Sequence, residues 1–186
     1  TSVSRGLGDV YKRQDLLNEK GHNCRLHIII ETNEGLENAF DIANCSQRID
    51  ALFFGGVDMS AELRCENKWE PLLYARSRIV HAAASAGIDA IDVPYLDLDD
   101  LDGMKEEAIK AKELGFSGKG SIHPKQISLL NNVFTPSIEV IERAKKITST
   151  FEEANTGLVV IDGKLIEKPV LREMYRILSI ANKLNN

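Results

Sequence analysis

Short apolar runs alternate along this chain with longer segments whose apolar residues recur every three to four positions. Arg25 to Ile30 (RLHIII) is short and β-branched and reads as a buried strand. Residues 33–44 carry helical spacing that puts Leu36, Ala39, Phe40 and Ala43 on one face. Ile49 to Phe54 (IDALFF) is a second strand, closed by Gly55 and Gly56. A long helix is predicted over 69–86, with Leu72, Leu73, Ala75, Ile79, Val80 and Ala83 inward and Gly87 as its C-cap. A third strand is expected over 88–93, a helix over 101–114 capped by Gly115, and a weaker fourth strand within 116–122. Helices follow over 125–133 and 136–153, the second with Pro136 in its first turn. Residues 157–166 read as a hairpin turning at Asp162-Gly163, and 169–184 as a final helix.

Strands alternating with amphipathic helices argue for parallel βαβ units. An open doubly wound sheet and a (β/α)₈ barrel both use them, and periodicity does not choose between the two. No G-x-G-x-x-G follows a strand, which weakens a dinucleotide-binding reading. Only four βα units are visible, whereas a barrel needs eight and about 250 residues. On the barrel reading, about half of it is missing. There is no internal repeat or low-complexity linker.

The 186 residues, 43% of them hydrophobic, suit one globular domain or a piece of a larger one. A net charge of −5 gives no electrostatic footprint for nucleic acid. No apolar run approaches the ~18 residues of a membrane span. Cys24, Cys45 and Cys65 lack metal-type pairing and read as reduced, mostly buried thiols of a cytoplasmic protein. Residues 1–14, TSVSRGLGDVYKRQ, resemble a translated sequencing adaptor and are set aside as non-native. Residues 15–150 are then expected to form the half-domain, and 151–186 a C-terminal lid or extension.

Carboxylates stand where the first two strands end: Glu31 in IIIETNEG and Asp58 in FFGGVDMS. Parallel strands open their C-terminal ends on one face, where ligands bind. Neighbouring strands lie ~5 Å apart, so the two carboxylates can share one ion, and two carboxylates plus water suit Mg²⁺. A plainer reading makes Glu31 a helix-entry charge and Asp58 the N-cap of a turn over 59–64. Gly55 and Gly56 either let backbone amides approach a ligand or simply make a tight turn. Asp92 ends the third strand and His123 the fourth, each with a structural alternative. His22, His27 and His81 show no partner spacing. The acidic stretch Asp97, Asp99, Asp100 and Asp102 reads as a solvated helix start.

Taken together, these segments resemble the citrate lyase β-subunit, malyl-CoA lyase and citramalyl-CoA lyase family of the HpcH/HpaI aldolase superfamily. GFSGKGSIHPKQI (115–127) is the most specific part; IIIETNEGLENAFDIA (28–43), LFFGGVDMSAEL (52–63) and the stretch from Trp69 agree in order and spacing. The resemblance covers nearly everything after Asp15.

It implies a partial TIM (β/α)₈ barrel, about strands five to eight, followed by a helical lid segment. It implies Glu31 and Asp58 as Mg²⁺ ligands, with a CoA thioester and a 2-oxo acid as reactants of a carbon–carbon lyase. His123 falls in the family's active-site-facing turn, as a candidate catalytic or substrate-contacting residue; Gly55, Gly56 and Asp92 are candidate substrate contacts from their places at the strand ends. Family members often carry Gly-Lys-Met-Ile-Asp-x-Pro in the lid, whose Asp acts as general acid/base towards a neighbouring subunit. Here GKLIEKP puts Glu167 at that position, or makes it a plain first-turn charge. The family's N-terminal Asp-Leu-Glu-Asp segment and 2-oxo-acid Arg are not in this sequence. The chain alone is therefore expected to be inactive and prone to association, and the full-length protein to be a homo-oligomer. A malyl-CoA thioesterase on the same scaffold, a metal-dependent aldolase acting on free acids without CoA, and a non-catalytic α/β binding module are the competing readings.

Overall fold

The computed structural model describes residues 2–3, 7–154 and 157–184. Two compact units divide the chain, Thr1–Val133 and Phe134–Asn186. The division falls earlier than the boundary read at residue 150, because the helix starting at Ile138 packs with the hairpin and helix that follow it.

The first unit is built on a parallel sheet of five strands in chain order: β1 (Ser2–Val3), β2 (Leu26–Ile30), β3 (Ile49–Phe54), β4 (Asp89–Asp92) and β5 (Gly118–Lys119). β1 adds a strand to the four expected. Both it and the first half of α1 (Leu7–Glu19) come from the segment set aside above; Val10 of that helix is fully buried. Among the described residues β1 and β5 are free edges, so the sheet is open and no barrel closes.

Register aligns Ile28, Leu52 and Ala90 across the sheet, and one position on, Ile29, Phe53, Ile91 and Gly118. Successive residues point to opposite faces. Ile28, Ile30, Leu52, Phe54 and Ala90 are buried on the helix-covered face, while Ile29, Phe53 and Ile91 are only half-buried on the other. A face this apolar on both sides is typical of parallel strands.

Helices α2 (Asn33–Glu37) and α3 (Ala39–Asn44) replace the single helix expected over 33–44. Asn38 interrupts it: its side chain donates to Glu34 O at 2.8 Å, an Asn habit that competes with the helix ladder. The break turns Phe40 outward, where Arg78 lies 5.5 Å from its ring centroid, instead of into the core. After α4 (Gly56–Leu63), α5 spans Trp69–Ala86 with its C-cap at Gly87, residue for residue as the spacing predicts. It buries Leu72, Ala75, Ile79, Ala82 and Ala83, but Leu73 is exposed and Val80 half-buried, and Arg76 takes an inward position instead. α6 (Leu101–Leu114) starts where Asp100 accepts from Gly103 N at 2.9 Å, confirming the acidic stretch as a helix start. α7 (Pro124–Phe134) ends this part of the chain.

In the second unit, α8 (Ile138–Ala154), the antiparallel hairpin β6 (Leu158–Ile161) and β7 (Lys164–Glu167), and α9 (Lys168–Leu184) enclose Ile147, Ile161, Ile166 and Leu171. Asp162 (φ 50°) and Gly163 (φ 74°) both sit in the left-handed region, as a two-residue turn of type I′ requires.

The three cysteines are free, as expected, but not buried: Cys24 is exposed, Cys45 and Cys65 half-buried. Among the described residues no helix is long and apolar enough to cross a membrane.

Candidate active site at the carboxyl ends of the strands

A cavity of about 1010 Å³ lies along the open face of the sheet. His27, Ile29, Phe53 and Ile91 form its floor; Glu31, Gly55, Asp58, Pro94, Leu96 and Ser121 line the end where the strands terminate. Glu31 directly follows β2, one residue before Thr32, whose hydroxyl caps α2 by accepting from Gly35 N at 3.1 Å. Asp58 lies in the first turn of α4, not at its N-cap, which is Gly55; Met59 N donates to Gly55 O at 3.0 Å. A helix N-terminus favours an acidic side chain there.

Glu31 and Asp58 act on each other. The Glu31 carboxyl is held above the ordinary glutamate range, first by burial and then by the charge of Asp58. Among the described residues neither forms an ion pair with a cationic side chain. No group of three or more His, Cys, Asp or Glu assembles into a larger cluster among those residues. The arrangement is thus two carboxylates lining one cavity.

The two glycines separate in role. Gly55 lines the cavity, and a Cβ there would collide with Glu31 Cβ and sit 2.8 Å from Oε2. Gly56 is buried away from it; a Cβ would come 2.9 Å from Phe54 Cε1 and 3.1 Å from Val93 Cγ1, so its smallness serves packing. His123 is half-buried and not part of the cavity wall; its Nδ1 accepts from Lys125 N at 3.1 Å. Glu167 ends β7 in the second unit and is exposed.

Asp92, expected as a substrate contact, is fully buried with both oxygens taken. Arg76 Nε donates to Oδ1 at 2.9 Å and Lys119 Nζ to Oδ2 at 2.7 Å. Lys119 also donates to Glu107 Oε1 at 2.6 Å, and Arg76 lies 3.8 Å from the same oxygen. Two cations thereby meet two anions beneath the cavity, which is what buried charges need. The Arg76 guanidinium also lies over the rings of Phe54 (5.0 Å) and Trp69 (4.6 Å); its Nη1 is buried without a hydrogen-bond partner among the described residues. The cluster ties β3, β4 and β5 together just below the carboxylate turn.

Three positions that support the cavity wall escape a reading by residue type alone. Arg76 falls in helical register among apolar residues, which was the available signal. Glu107 lies on α6 among charges that look solvated. Gln126, within IHPKQI, is fully buried: it accepts from Ile122 N at 3.0 Å and donates to Tyr95 O at 2.8 Å, joining two loops beside the cavity.

A parallel α/β unit with acidic residues paired at its strand ends defines a class of enzymes that work at the carboxyl edge of a sheet. Residues 5–124 match the HpcH/HpaI aldolase/citrate lyase family, and the chain belongs to that family of carbon–carbon lyases. It is similar to the citrate lyase subunit beta of Escherichia coli K12, at 37% identity over 157 residues, covering 82% of this chain and 52% of that protein. It is 36% identical over 141 residues to the mitochondrial citramalyl-CoA lyase of Rattus norvegicus, covering 73% and 42%. In structure it resembles a Mycobacterium tuberculosis protein, CitE, solved in complex with magnesium, acetoacetate and coenzyme A. That likeness has a TM-score of 0.72 at 23% identity, covers 97% of this chain and 76% of that one, and speaks to fold alone. The chain spans about half the length of the curated relatives it matches.

Proposed function

We propose that the chain is part of a Mg²⁺-dependent lyase that cleaves a 3-hydroxyacyl-CoA, such as malyl-CoA or citramalyl-CoA, into an acyl-CoA and a 2-oxo acid. The observation that carries this is the Glu31–Asp58 pair, two like charges lining one cavity, neither of them ion-paired with a cationic side chain among the described residues. Mg²⁺ is bound by one or two carboxylates and completes its octahedron with water and substrate oxygens, so a two-carboxylate set facing a large cavity fits it. When bound, the ion supplies Lewis acidity to the carbonyl of the 2-oxo acid. Glu31 and Asp58 hold it, and Gly55 leaves room for the Glu31 side chain to do so.

The open sheet is read as half of a (β/α)₈ barrel, with strands from the remainder of a full-length protein covering Ile29, Phe53 and Ile91. Support comes from the edges β1 and β5, free among the described residues, the half-buried apolar face, and the half-length coverage of relatives. Glu167 is proposed as general acid/base, delivered from the lid of a neighbouring copy in a homo-oligomer; its exposure leaves the carboxylate available.

The test uses the full-length protein with malyl-CoA or citramalyl-CoA, with and without Mg²⁺, and identifies products by mass spectrometry. Mg²⁺-dependent release of a 2-oxo acid and a shorter acyl-CoA, abolished by Asp58→Ala, is the expected outcome. Hydrolysis to free CoA would replace it with a thioesterase, and turnover of CoA-free hydroxy acids with an aldolase.

A further inference from the structure

We propose that Ser121, oriented by Gln126, is the residue of the β5–α7 turn that contacts substrate, donating its hydroxyl to a substrate oxygen; this rests on the lyase reading above. At the end of the cavity that holds Glu31 and Asp58, the other polar side chains are Lys119 and Ser121. The carboxylates only accept. Lys119 is held back: its side chain is fully enclosed, and two of its three N–H donors serve Asp92 and Glu107 at 2.7 and 2.6 Å. Among the described residues, Ser121 is the side-chain donor left to that end. It is exposed, whereas His123, two positions on, stays outside the wall and is engaged by Lys125 N.

The Ser121 hydroxyl lies 3.0 Å from His123 O and 3.2 Å from Gln126 Oε1. One proton serves one acceptor at a time, so turning it to a substrate oxygen exchanges one hydrogen bond for another. Gln126 fixes where it starts. Its Oε1 holds the Ile122 N–H at 3.0 Å and its Nε2 holds the Tyr95 carbonyl at 2.8 Å, with the amide wholly buried. The turn bearing Ser121 is thereby fastened to the loop bearing Pro94 and Leu96, which line the same cavity. Gly120 packs into that loop as well, since a Cβ there would lie 2.8 Å from Pro94 Cγ. Gln126 is a positioning residue and Ser121 the contact it positions.

The experiment is steady-state kinetics on the full-length protein with malyl-CoA or citramalyl-CoA, alongside Mg²⁺ affinity by calorimetry and melting temperature. Ser121→Ala is expected to lower kcat/KM roughly five- to tenfold, the value of one hydrogen bond, at unchanged Mg²⁺ affinity and melting temperature. Ser121→Thr, which keeps the hydroxyl, recovers most of the loss. Gln126→Glu lacks the proton for Tyr95 O at neutral pH and regains it when protonated. Its deficit therefore shrinks as pH falls, while that of Ser121→Ala stays flat. Should Gln126→Glu fail to fold, the two Ser121 variants still decide the contact. Unaltered protein that turns over with Ser121→Ala equal to it overturns this assignment and leaves the lyase reading standing. A deficit in Gln126→Glu that ignores pH overturns the positioning role. Unaltered protein without Mg²⁺-dependent turnover overturns the lyase reading and this proposal with it.

Discussion

Gly55 and Glu31 touch across neighbouring strands: a Cβ on residue 55 would run into the Glu31 Cβ and sit 2.8 Å from its Oε2. The backbone at Gly55 (φ −91°) is open to other residues, so the requirement is for space and not for an unusual conformation. Gly55→Ala is therefore expected to push the Glu31 carboxylate aside. The cost is about 1–3 kcal/mol of stability, as for other overpacking substitutions. Mg²⁺ affinity should fall with it, and titration calorimetry beside a melting curve checks both; an alanine variant that binds Mg²⁺ normally would show that Glu31 does not need this position.

The same pair predicts a pH and metal response of opposite signs. Glu31 is raised above its ordinary 4.5 by burial and by Asp58. An acid with a raised folded pKa binds more protons folded than unfolded, so its contribution is present below the unfolded value and lost as pH rises through the folded one. Asp58→Asn removes one of the two causes. Both groups are substantially solvated, so the metal-free protein near neutral pH should gain at most about 0.5 kcal/mol. If the pair holds Mg²⁺, the ion should raise the melting temperature of the unaltered protein and leave that of the variant unchanged. Melting curves with and without Mg²⁺ read both effects. In the unaltered protein, Mg²⁺ affinity should weaken on acidification at a higher pH than for an ordinary glutamate, since the ligand must be deprotonated.

Local pattern and tertiary context divide the legible from the hidden. IDALFF reads as β3 to the residue because its apolar run is short and stopped by glycines, and α5 reads from Trp69 to its Gly87 cap because eighteen residues of helical spacing outvote any single one. The helix over 33–44 was overextended because Asn38 breaks it with its own side chain, an event that apolar spacing does not record. Glu31 and Asp58 draw notice because strand ends in parallel sheets collect ligands, and both line the cavity. Asp92 stands at a strand end too, yet its partners lie 16 and 27 positions away, and only folding reveals that they occupy both oxygens. His123 drew notice by residue type, while Ser121 and Gln126 are residues whose role depends on what surrounds them.

The buried cluster gives a prediction that separates support from substrate contact at Asp92. Asp92→Asn leaves Arg76 and Lys119 short of an anion in a dry place, which costs about 3–5 kcal/mol for a broken buried pair. Arg76→Met leaves Asp92 Oδ1 without its donor while Lys119 keeps Oδ2, and it adds the loss of the contacts to Phe54 and Trp69, so it too should destabilise the chain. Urea unfolding of the chain measures both. A loss below about 0.5 kcal/mol in Asp92→Asn, accompanied by a raised KM in the full-length protein, would return Asp92 to the substrate.

Glu167 predicts the reverse pattern. It is exposed at the end of β7, opposite Leu158 in the hairpin register, and no ion pair holds it among the described residues. Surface substitutions away from caps and pairs stay within about 0.5 kcal/mol, so Glu167→Gln should leave the melting temperature of the second unit's core unchanged. If the carboxylate transfers a proton during cleavage, the same change lowers kcat of the full-length enzyme about 10²-fold or more, with KM little affected. Glu167→Asp keeps the acid on a shorter arm and should restore part of the rate. Mixing Glu167→Gln with Asp58→Ala protomers tests delivery between subunits: hybrid oligomers that regain activity place the lid of one copy over the carboxylate pair of another, and hybrids that stay inactive confine Glu167 to its own chain.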